Sequence, residues 1–156
     1  MKPADKSFKK RVLLISSSGG HWIQLKRLST IFDGCNKTYI STAKSYYKTI
    51  DEGKFYYVVD ANRWNKFKLL WQAITILFYL VKVRPDVVIT TGAAPGFFAL
   101  FFAKKMGMKT IWVDSIANID ELSLSGKKVY PYADLWLTQW EHLAKPNGPM
   151  YLGSVI

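Results

Sequence analysis

Hydrophobic and polar positions along this chain follow two spacings, one typical of buried strands and one typical of helices. Short runs rich in β-branched residues predict strands at Arg11–Ser16, Lys37–Ser41, Phe55–Asp60, Asp86–Thr91, Lys109–Asp114 and Asp134–Thr138. Apolar residues at helical spacing predict helices at His21–Phe32, Trp64–Arg84 and Pro95–Met106, with a polar helical piece between the second and third strands. Strands that alternate with helices predict an α/β fold with a Rossmann-like, doubly wound parallel sheet.

The predicted topology also indicates where chemistry belongs. In doubly wound sheets, ligands bind beyond the carboxyl ends of the strands, where the strand order reverses. We therefore expect the functional residues in the loops that follow Ile15, Thr91 and Asp114.

The loop after the first strand reads Ser-Ser-Ser-Gly-Gly-His over residues 16–21. Glycines allow a tight turn, and a helix N-terminus offers free amides to an anion. The loop is not a G-x-G-x-x-G fingerprint, and it lacks the lysine of a P-loop. His21 is a candidate general base, because imidazole is the side chain that most often fills that role. The alternative is a plain strand-to-helix turn in which His21 serves only as a cap or a hydrogen-bonding residue.

Small residues also fill the loop after the fourth strand, Thr-Thr-Gly-Ala-Ala-Pro-Gly over residues 90–96. Two such loops at one sheet edge favour a phosphate-bearing ligand or a closely approaching partner. The alternative is an ordinary turn with Pro95 at the start of a helix.

Asp114 closes the fifth predicted strand and is a candidate functional carboxylate. The alternative is a structural loop in which Ser115 or Asn118 caps a helix.

The longest predicted helix, Trp64–Arg84, carries a continuous stripe: Trp64, Phe67, Trp71, Ile74, Phe78 and Val81. Basic residues flank its two ends: Lys66, Lys68, Lys82 and Arg84. Burial against the sheet is the simplest interpretation, but the remaining face of the helix is apolar as well. Core packing, contact with lipid and contact with a protein partner therefore stay open. If the helix contacts lipid, the contact residues are Trp64, Lys66, Phe67, Lys68, Trp71, Phe78 and Lys82.

Charge is distributed unevenly along the 156 residues, a length that fits one domain. Residues 1–84 carry 16 basic and 5 acidic side chains, whereas residues 85–156 carry 6 of each. We expect a flexible basic segment over residues 1–10 and a single domain over residues 11–156. The basic half indicates an anionic partner, whether a membrane, a phosphate ligand or a nucleic acid.

Other classes are disfavoured by the residue counts. A lone Cys35 makes no intramolecular disulfide, and with only His21 and His142 as further soft ligands we expect no structural zinc. The apolar run after Arg11 is too short for a signal peptide, and Leu69–Val83 is too short and too polar for a standard transmembrane helix. The basic residues form no recognisable nucleic-acid-binding motif.

Five blocks together resemble one family: SSSGGH, VITTGAAPG, WVDSIANIDELSLSGK, YADLWLTQWEHL and a terminal YLGSVI. The chain resembles the bacterial PssD- and CpsF-type polysaccharide-biosynthesis proteins. These are homologous to the membrane-anchoring subunit of the two-subunit N-acetylglucosaminyltransferase of eukaryotic lipid-linked oligosaccharide synthesis. The family is similar to the N-terminal, acceptor-binding half of a GT-B glycosyltransferase such as MurG.

This resemblance implies an accessory subunit in capsule or exopolysaccharide synthesis, active only with a separate subunit that binds most of the UDP-sugar. The acceptor is then a saccharide linked to polyprenyl diphosphate, and neither a metal nor a cofactor is required. Acceptor and diphosphate contacts fall on Ser18, Gly19, Gly20, Gly92, Ala93, Ala94 and Gly96. His21 is the implied base, with Asp114 as the weaker candidate.

Eukaryotic members carry an N-terminal transmembrane helix, and we expect none in this chain. The expected location is therefore the cytoplasmic face of the membrane, with attachment through surface helices or the partner. The partner surface is expected near Tyr132–Trp140 and the C-terminus. Two other functions stay open: a self-sufficient small nucleotide-sugar-binding enzyme, and a basic nucleic-acid-binding module.

Overall fold

This computed structural model describes residues 9–155, and the predicted flexible segment over residues 1–10 lies almost entirely outside that range. Within residues 9–155, seven parallel strands form a single sheet. The strands are β1 (Arg11–Ser16), β2 (Asn36–Ser41), β3 (Lys54–Tyr57), β4 (Val87–Thr90), β5 (Lys109–Val113), β6 (Leu135–Thr138) and β7 (Met150–Tyr151). The α-helices are α1 (Gly20–Leu28), α2 (Lys66–Val83), α3 (Ala93–Lys105) and α4 (Leu124–Val129). The predicted α/β, doubly wound fold is confirmed.

The strand order is β3-β2-β1-β4-β5-β6-β7. The chain first builds outwards from β1 to β3, and α2 then carries it back so that β4 pairs with the other side of β1. The order therefore reverses between β1 and β4, and the region beyond their carboxyl ends, called the crevice below, is where sheets of this kind bind ligands.

The core has two layers because successive side chains of a strand point to opposite faces of the sheet. Leu13 and Ile15 of β1 pack in the layer that contains α2 and α3. Val12 and Leu14 pack in the opposite layer with α1. Every one of these four side chains is almost completely buried. β1 is therefore covered on both faces, as its uninterrupted apolar run predicts.

Local signals set most element boundaries within a few residues of the prediction. The Asn65 side chain caps α2 by accepting a hydrogen bond from the Lys68 amide at 3.0 Å. Arg84 ends the helix in the left-handed region with φ 47°, and Pro85 follows. The third strand is shorter than predicted, and the polar piece before it is a 3-10 helix over Lys44–Thr49. Neither α4 nor β7 was predicted, because both are too short to show a period.

The aromatic stripe of α2 does not pack against the sheet, so burial in the core is the wrong interpretation. Its members are exposed: Trp64 80%, Phe67 87%, Trp71 64%, Ile74 51%, Phe78 59% and Val81 50%. The buried face consists of Gln72, Ala73, Ile76 and Leu80. Gln72 donates its amide to the Val59 carbonyl at 2.7 Å. Because of this hydrogen bond and the small Ala73 side chain, this face of α2 can lie close to the sheet. The bulky rings lie on the opposite, exposed side of the helix.

Candidate functional site

The first loop enters α1 directly above the end of β1. Gly19 has φ +77°, a conformation that glycine adopts without strain. Two side chains from the segment after β2 hold this loop: Thr42 Oγ1 accepts from the Ser18 amide at 3.0 Å, and Tyr46 Oη accepts from the Gly19 amide at 3.0 Å. The Trp22 and Ile23 amides donate to the Gly19 carbonyl at 3.1 and 3.3 Å, which leaves the Gly20 and His21 amides of the first turn without an intrahelical partner.

Thr42 and Tyr46 were not among the sequence candidates. Tyr46 also stacks on the Trp22 ring, with centroids 4.9 Å apart and planes 16° apart. Thr42 immediately follows β2, the neighbour of β1, so its position at the same sheet edge is the signal that could have identified it.

The second loop enters α3 above the end of β4. Gly92 has φ +124°, and its amide donates to Thr90 Oγ1 at 3.1 Å. A Cβ on Gly92 would lie 2.9 Å from Cε1 of His21, so the close approach of the imidazole requires glycine here. Ala93 follows with φ +64°, a conformation that is strained for a residue with a side chain. Gly96 packs its backbone onto Thr90, where a Cβ would lie 2.1 Å from Oγ1.

His21 joins the two loops. Its Nδ1 lies 2.8 Å from the Thr91 carbonyl oxygen, and Thr91 Oγ1 donates back to the His21 carbonyl at 2.7 Å. Since a carbonyl only accepts, Nδ1 carries the proton and Nε2 carries the free lone pair. Within residues 9–155, Nε2 has no hydrogen-bond partner. The half-buried ring is thus fixed through Nδ1, which leaves Nε2 of the neutral imidazole without a partner among these residues. We call residues 17–21 and 91–96 together the two-loop cradle.

The cradle is favourable to an anion. The N-termini of α1 and α3 meet at this edge, and neither first turn contains an acidic side chain. The positive ends of both helix dipoles therefore face one crevice. Within residues 9–155, no three His, Cys, Asp or Glu side chains cluster as metal ligands would.

The Asp114 carboxylate forms its hydrogen bonds with residues outside the two-loop cradle. This carboxylate, 1% exposed, accepts from Ser123 Oγ at 2.6 Å, the Ser123 amide at 2.9 Å, Trp112 Nε1 at 3.1 Å and Asn118 Nδ2 at 3.3 Å. A Cβ on Gly126 would lie 2.6 Å from Asp114 Oδ1. The carboxylate therefore ties the loop after β5 to the start of α4. Ser123, rather than Ser115 or Asn118, caps that helix.

Two buried glutamines connect the loop after β5 to α1. Gln139 donates to Gln24 Oε1 at 2.6 Å and to the Asp114 carbonyl at 2.9 Å. Gln24 Oε1 also accepts from the Ile116 amide at 3.2 Å. The C-terminal segment joins the same network, because the Val155 amide donates to Gln139 Oε1 at 2.8 Å. These hydrogen bonds thus join α1, the loop after β5 and the segment after β6 at the carboxyl edge of the sheet.

The sequence of residues 57–155 matches the family described as "Oligosaccharide biosynthesis protein Alg14 like". The chain belongs to the Alg14-like family. A curated relative, "UDP-N-acetylglucosamine transferase subunit alg14" of Schizosaccharomyces pombe, is 28% identical over 185 residues, covering 96% of this chain and 85% of the relative. The same subunit name is given to a Rattus norvegicus protein that is 24% identical and covers 93% of this chain and 82% of the relative.

Solved structures extend the likeness of this Alg14-like chain at the level of fold. MurG of Acinetobacter baumannii superposes with a TM-score of 0.69 at 15% identity, covering 94% of this chain and 45% of MurG. The sheet and its helices are thus those of one domain of a GT-B glycosyltransferase. The Alg14-like chain spans less than half the length of that structure. Among the helices within residues 9–155, none has both the length and the apolar character needed to cross a bilayer.

Proposed function

We propose that this chain is the acceptor-binding subunit of a two-component glycosyltransferase, which transfers a sugar from a UDP-sugar to a saccharide on polyprenyl diphosphate. The observation that carries the proposal is the convergence of two glycine loops on an oriented His21 at the reversal point of the sheet. Such a cradle suits a phosphate-bearing acceptor whose hydroxyl must lose a proton.

A separate donor-binding subunit is part of this proposal. The chain covers 45% of MurG, and we propose that the remaining part of a GT-B enzyme is supplied by a separate polypeptide. The curated relatives are named as subunits of a UDP-N-acetylglucosamine transferase, which makes UDP-N-acetylglucosamine the first donor to test. The donor then binds mainly to the partner and meets the acceptor at the crevice.

The reaction we propose is an inverting displacement. Nε2 of His21 takes the proton from the attacking hydroxyl as its oxygen bonds to the anomeric carbon, and the bond from that carbon to UDP breaks. Amides of Gly20 and His21, with those at the start of α3 near Ala93 and Ala94, hold the acceptor diphosphate. Asp114 acts as a positioning residue, since its carboxylate is engaged in holding the neighbouring loop. No step requires a metal.

Membrane contact is proposed for the exposed stripe of α2 and of the turn before it. This surface is named here the α2 stripe: Trp64, Phe67, Trp71, Ile74, Phe78 and Val81. Lys66 and Lys68 lie at one end of this stripe and Lys82 at the other. Aromatic rings bracketed by cations suit an anionic bilayer surface, where each basic residue contributes about 1 kcal/mol. We place this contact on the cytoplasmic face.

A docking surface for the donor subunit is proposed on the opposite face of the sheet. An apolar groove of about 430 Å³ lies there, lined in part by Phe32, Ile111, Leu135, Leu137, Leu152 and Val155. In a single-chain GT-B enzyme the second half is covalently attached, whereas the proposed separate subunit would bind through a surface of its own. The groove contains part of the region predicted for the partner, Leu135 and Leu137–Gln139, together with residues 152–155, but its lining does not include Tyr132, Trp136 or Trp140.

The biological setting we propose is bacterial capsule or exopolysaccharide synthesis. This proposal rests on the resemblance of the SSSGGH and SLSGK blocks to PssD- and CpsF-type proteins. Two-component transferases of that class would act on undecaprenyl-diphosphate-linked saccharides.

The test is reconstitution with the candidate donor subunit. We expect the chain alone to give no sugar transfer, and the pair to transfer sugar from one member of a UDP-sugar panel to a lipid-linked acceptor. Transfer by the isolated chain, or tight binding of a UDP-sugar to it by calorimetry, would instead establish a self-sufficient enzyme. Salt-sensitive DNA or RNA binding at physiological ionic strength would favour the nucleic-acid alternative.

A further inference from the structure

A second cationic site lies at the amino ends of β1, β2 and β3, at the sheet edge opposite to His21. It is a groove of about 450 Å³, named here the basic groove, and its lining includes Arg11, Lys37, Glu52, Lys54, Tyr56 and Lys82. The function proposed above makes no use of it.

The cations of the basic groove differ in their partners. Arg11 pairs with Asp86 at 3.2 Å, and Lys37 pairs with Asp33 at 2.7 Å. The hydrogen bond from Lys37 to Asp33 raises the pKa of this lysine and commits its charge to that pair. Within residues 9–155, no carboxylate lies within salt-bridge distance of Lys54 or Lys82.

Glu52 also lines the groove and offsets part of its charge. The lining nevertheless contains four cationic side chains and this one carboxylate. Lys54 and Lys82 keep their charge available for an incoming anion, because neither forms a salt bridge with a carboxylate of residues 9–155.

Lys82 connects the basic groove to the α2 stripe. Its ammonium lies 5.0 Å from the centroid of the Tyr56 ring and 6.0 Å from that of Phe78. Phe78 and Val81 belong to the stripe and are 59% and 50% exposed, respectively. The cation is therefore held by aromatic rings at the point where apolar surface meets the groove.

We propose that the basic groove binds the phosphate headgroup of an anionic membrane lipid, with Lys54 and Lys82 as its main contacts. A phosphate between these ammonium groups would place the acyl chains beside Phe78 and Val81, where the surface is apolar. The inference rests on the proposed membrane contact of the α2 stripe, and it adds a defined headgroup site to that contact. It is separate from the acceptor diphosphate, which belongs to the opposite edge.

Vesicle binding by the full chain tests the proposal. The double variant Lys54→Ala/Lys82→Ala is compared with Lys109→Ala, which removes an exposed lysine from the same sheet edge outside the groove. We expect the double variant to lose roughly thirtyfold in affinity for phosphatidylglycerol-containing vesicles, because each of its two lysines makes the usual contribution of a basic residue near an anionic surface. Binding to neutral phosphatidylcholine vesicles should not change, nor should the Lys109 variant lose comparable affinity.

A second measurement distinguishes a lipid from a free phosphate. Short-chain phosphatidylglycerol below its micelle concentration should shift the NMR signals of the Lys54 and Gly53 amides more strongly than glycerol phosphate does. Equal shifts, or equal losses for the Lys109 variant, would overturn the lipid site. Transfer to a detergent-solubilised acceptor should be unaffected in the double variant, so that failure of the headgroup site does not count against the proposed reaction.

Discussion

His21 and Thr91 exchange two hydrogen bonds across the crevice, one from the imidazole Nδ1 to the Thr91 carbonyl at 2.8 Å and one from Thr91 Oγ1 to the His21 carbonyl at 2.7 Å. This pairing joins α1 to the end of β4, although 70 residues separate the two positions. It sets the imidazole tautomer and the distance between the two loops. The candidate base on α1 and the candidate anion-binding loop before α3 thereby become parts of one site.

Replacing His21 with glutamine tests its role as the base. The glutamine amide can still donate to the Thr91 carbonyl, but no group at this position can then accept a proton. We expect kcat of the reconstituted pair to fall about 10²- to 10⁴-fold while the two subunits still associate. His142→Gln is the control, because His142 is exposed and bonds only to the Ile119 carbonyl through Nε2. Unchanged turnover in the His21 variant would assign that residue to structure.

Gly92→Ala tests the close approach of the two loops. The new Cβ would meet His21 Cε1 at 2.9 Å in a backbone with φ +124°. Gly107→Ala is the matched control, since it has φ +77° and no atom within 4 Å of the added Cβ. We expect both variants to lose about 1 kcal/mol of unfolding free energy from backbone strain. The Gly92 variant should also lose transferase activity and a further 1 to 2 kcal/mol. Equal stability and activity in the two variants would contradict the packing of His21 on Gly92.

Asp114→Asn distinguishes a positioning carboxylate from a catalytic one. The amide replaces one acceptor oxygen with a donor that faces either Ser123 Oγ or the Ser123 amide. We expect the unfolding free energy, measured by urea denaturation, to fall by about 2 kcal/mol. Asp120→Asn, at an exposed position in the same loop, should leave it unchanged. A variant of Asp114 with normal stability and lost activity would place this carboxylate on the reacting atoms.

The α2 stripe is tested with Trp71→Glu/Phe78→Glu. Both rings are exposed, so the fold should keep its stability in a thermal melt. Burial of such a side chain stabilises by about 1.5 to 3 kcal/mol, and we expect vesicle affinity to drop at least tenfold.

The control for the stripe is Ile31→Glu, which changes an equally exposed apolar residue in the layer of α1. It should bind vesicles normally. Charge reversal at Lys66 and Lys68 should weaken binding to anionic vesicles and make it less sensitive to salt. If charge reversal and both glutamates leave binding unchanged, the stripe serves another partner.

We predict that the Asp134 carboxylate contributes to the free energy of unfolding and that this contribution is lost in acid. Burial opposes its ionisation most strongly, but hydrogen bonds from Lys104 and from the Thr110 amide and hydroxyl hold its pKa below the usual value. Because the folded pKa is lowered, the stabilisation is complete above the unfolded pKa of about 3.9 and is lost as the pH falls towards the folded value.

We therefore expect Asp134→Asn to lower the unfolding free energy at pH 7. Below about pH 4, where the Asp134 carboxyl of the unfolded wild-type chain binds a proton before that of the folded chain, the difference between the two proteins should shrink. Urea denaturation at pH 7 and pH 3 measures both values. A difference that is equal at the two pH values would contradict this linkage.

Much of the fold follows from the sequence because its signals are local. The apolar run of β1, the alternation of strands with helices and the cap at Asn65 each act over a few residues. The position of the two glycine loops at one edge follows as well, since parallel strands all end on the same side of the sheet. The confirmed α/β prediction rests on these signals.

Long-range contacts decided the rest. A helix that is apolar on most sides does not specify which side faces the sheet. In α2 the side that contains Gln72 faces the sheet instead of the aromatic stripe, because Gln72 donates to the Val59 carbonyl and because the space above the sheet is limited. The enclosure of Asp114 depends on Ser123, whose hydroxyl reaches it only through the folded loop.

The sequence by itself determined the order of elements, the candidate loops and the surplus of positive charge in the first half. Only the tertiary structure brought His21 against Thr91, exposed the α2 stripe and gathered Lys54 and Lys82 into one groove. The physical reason is that periodicity and capping are properties of neighbouring residues. Sites form where the sheet brings distant residues together, and short-range patterns do not record those distances.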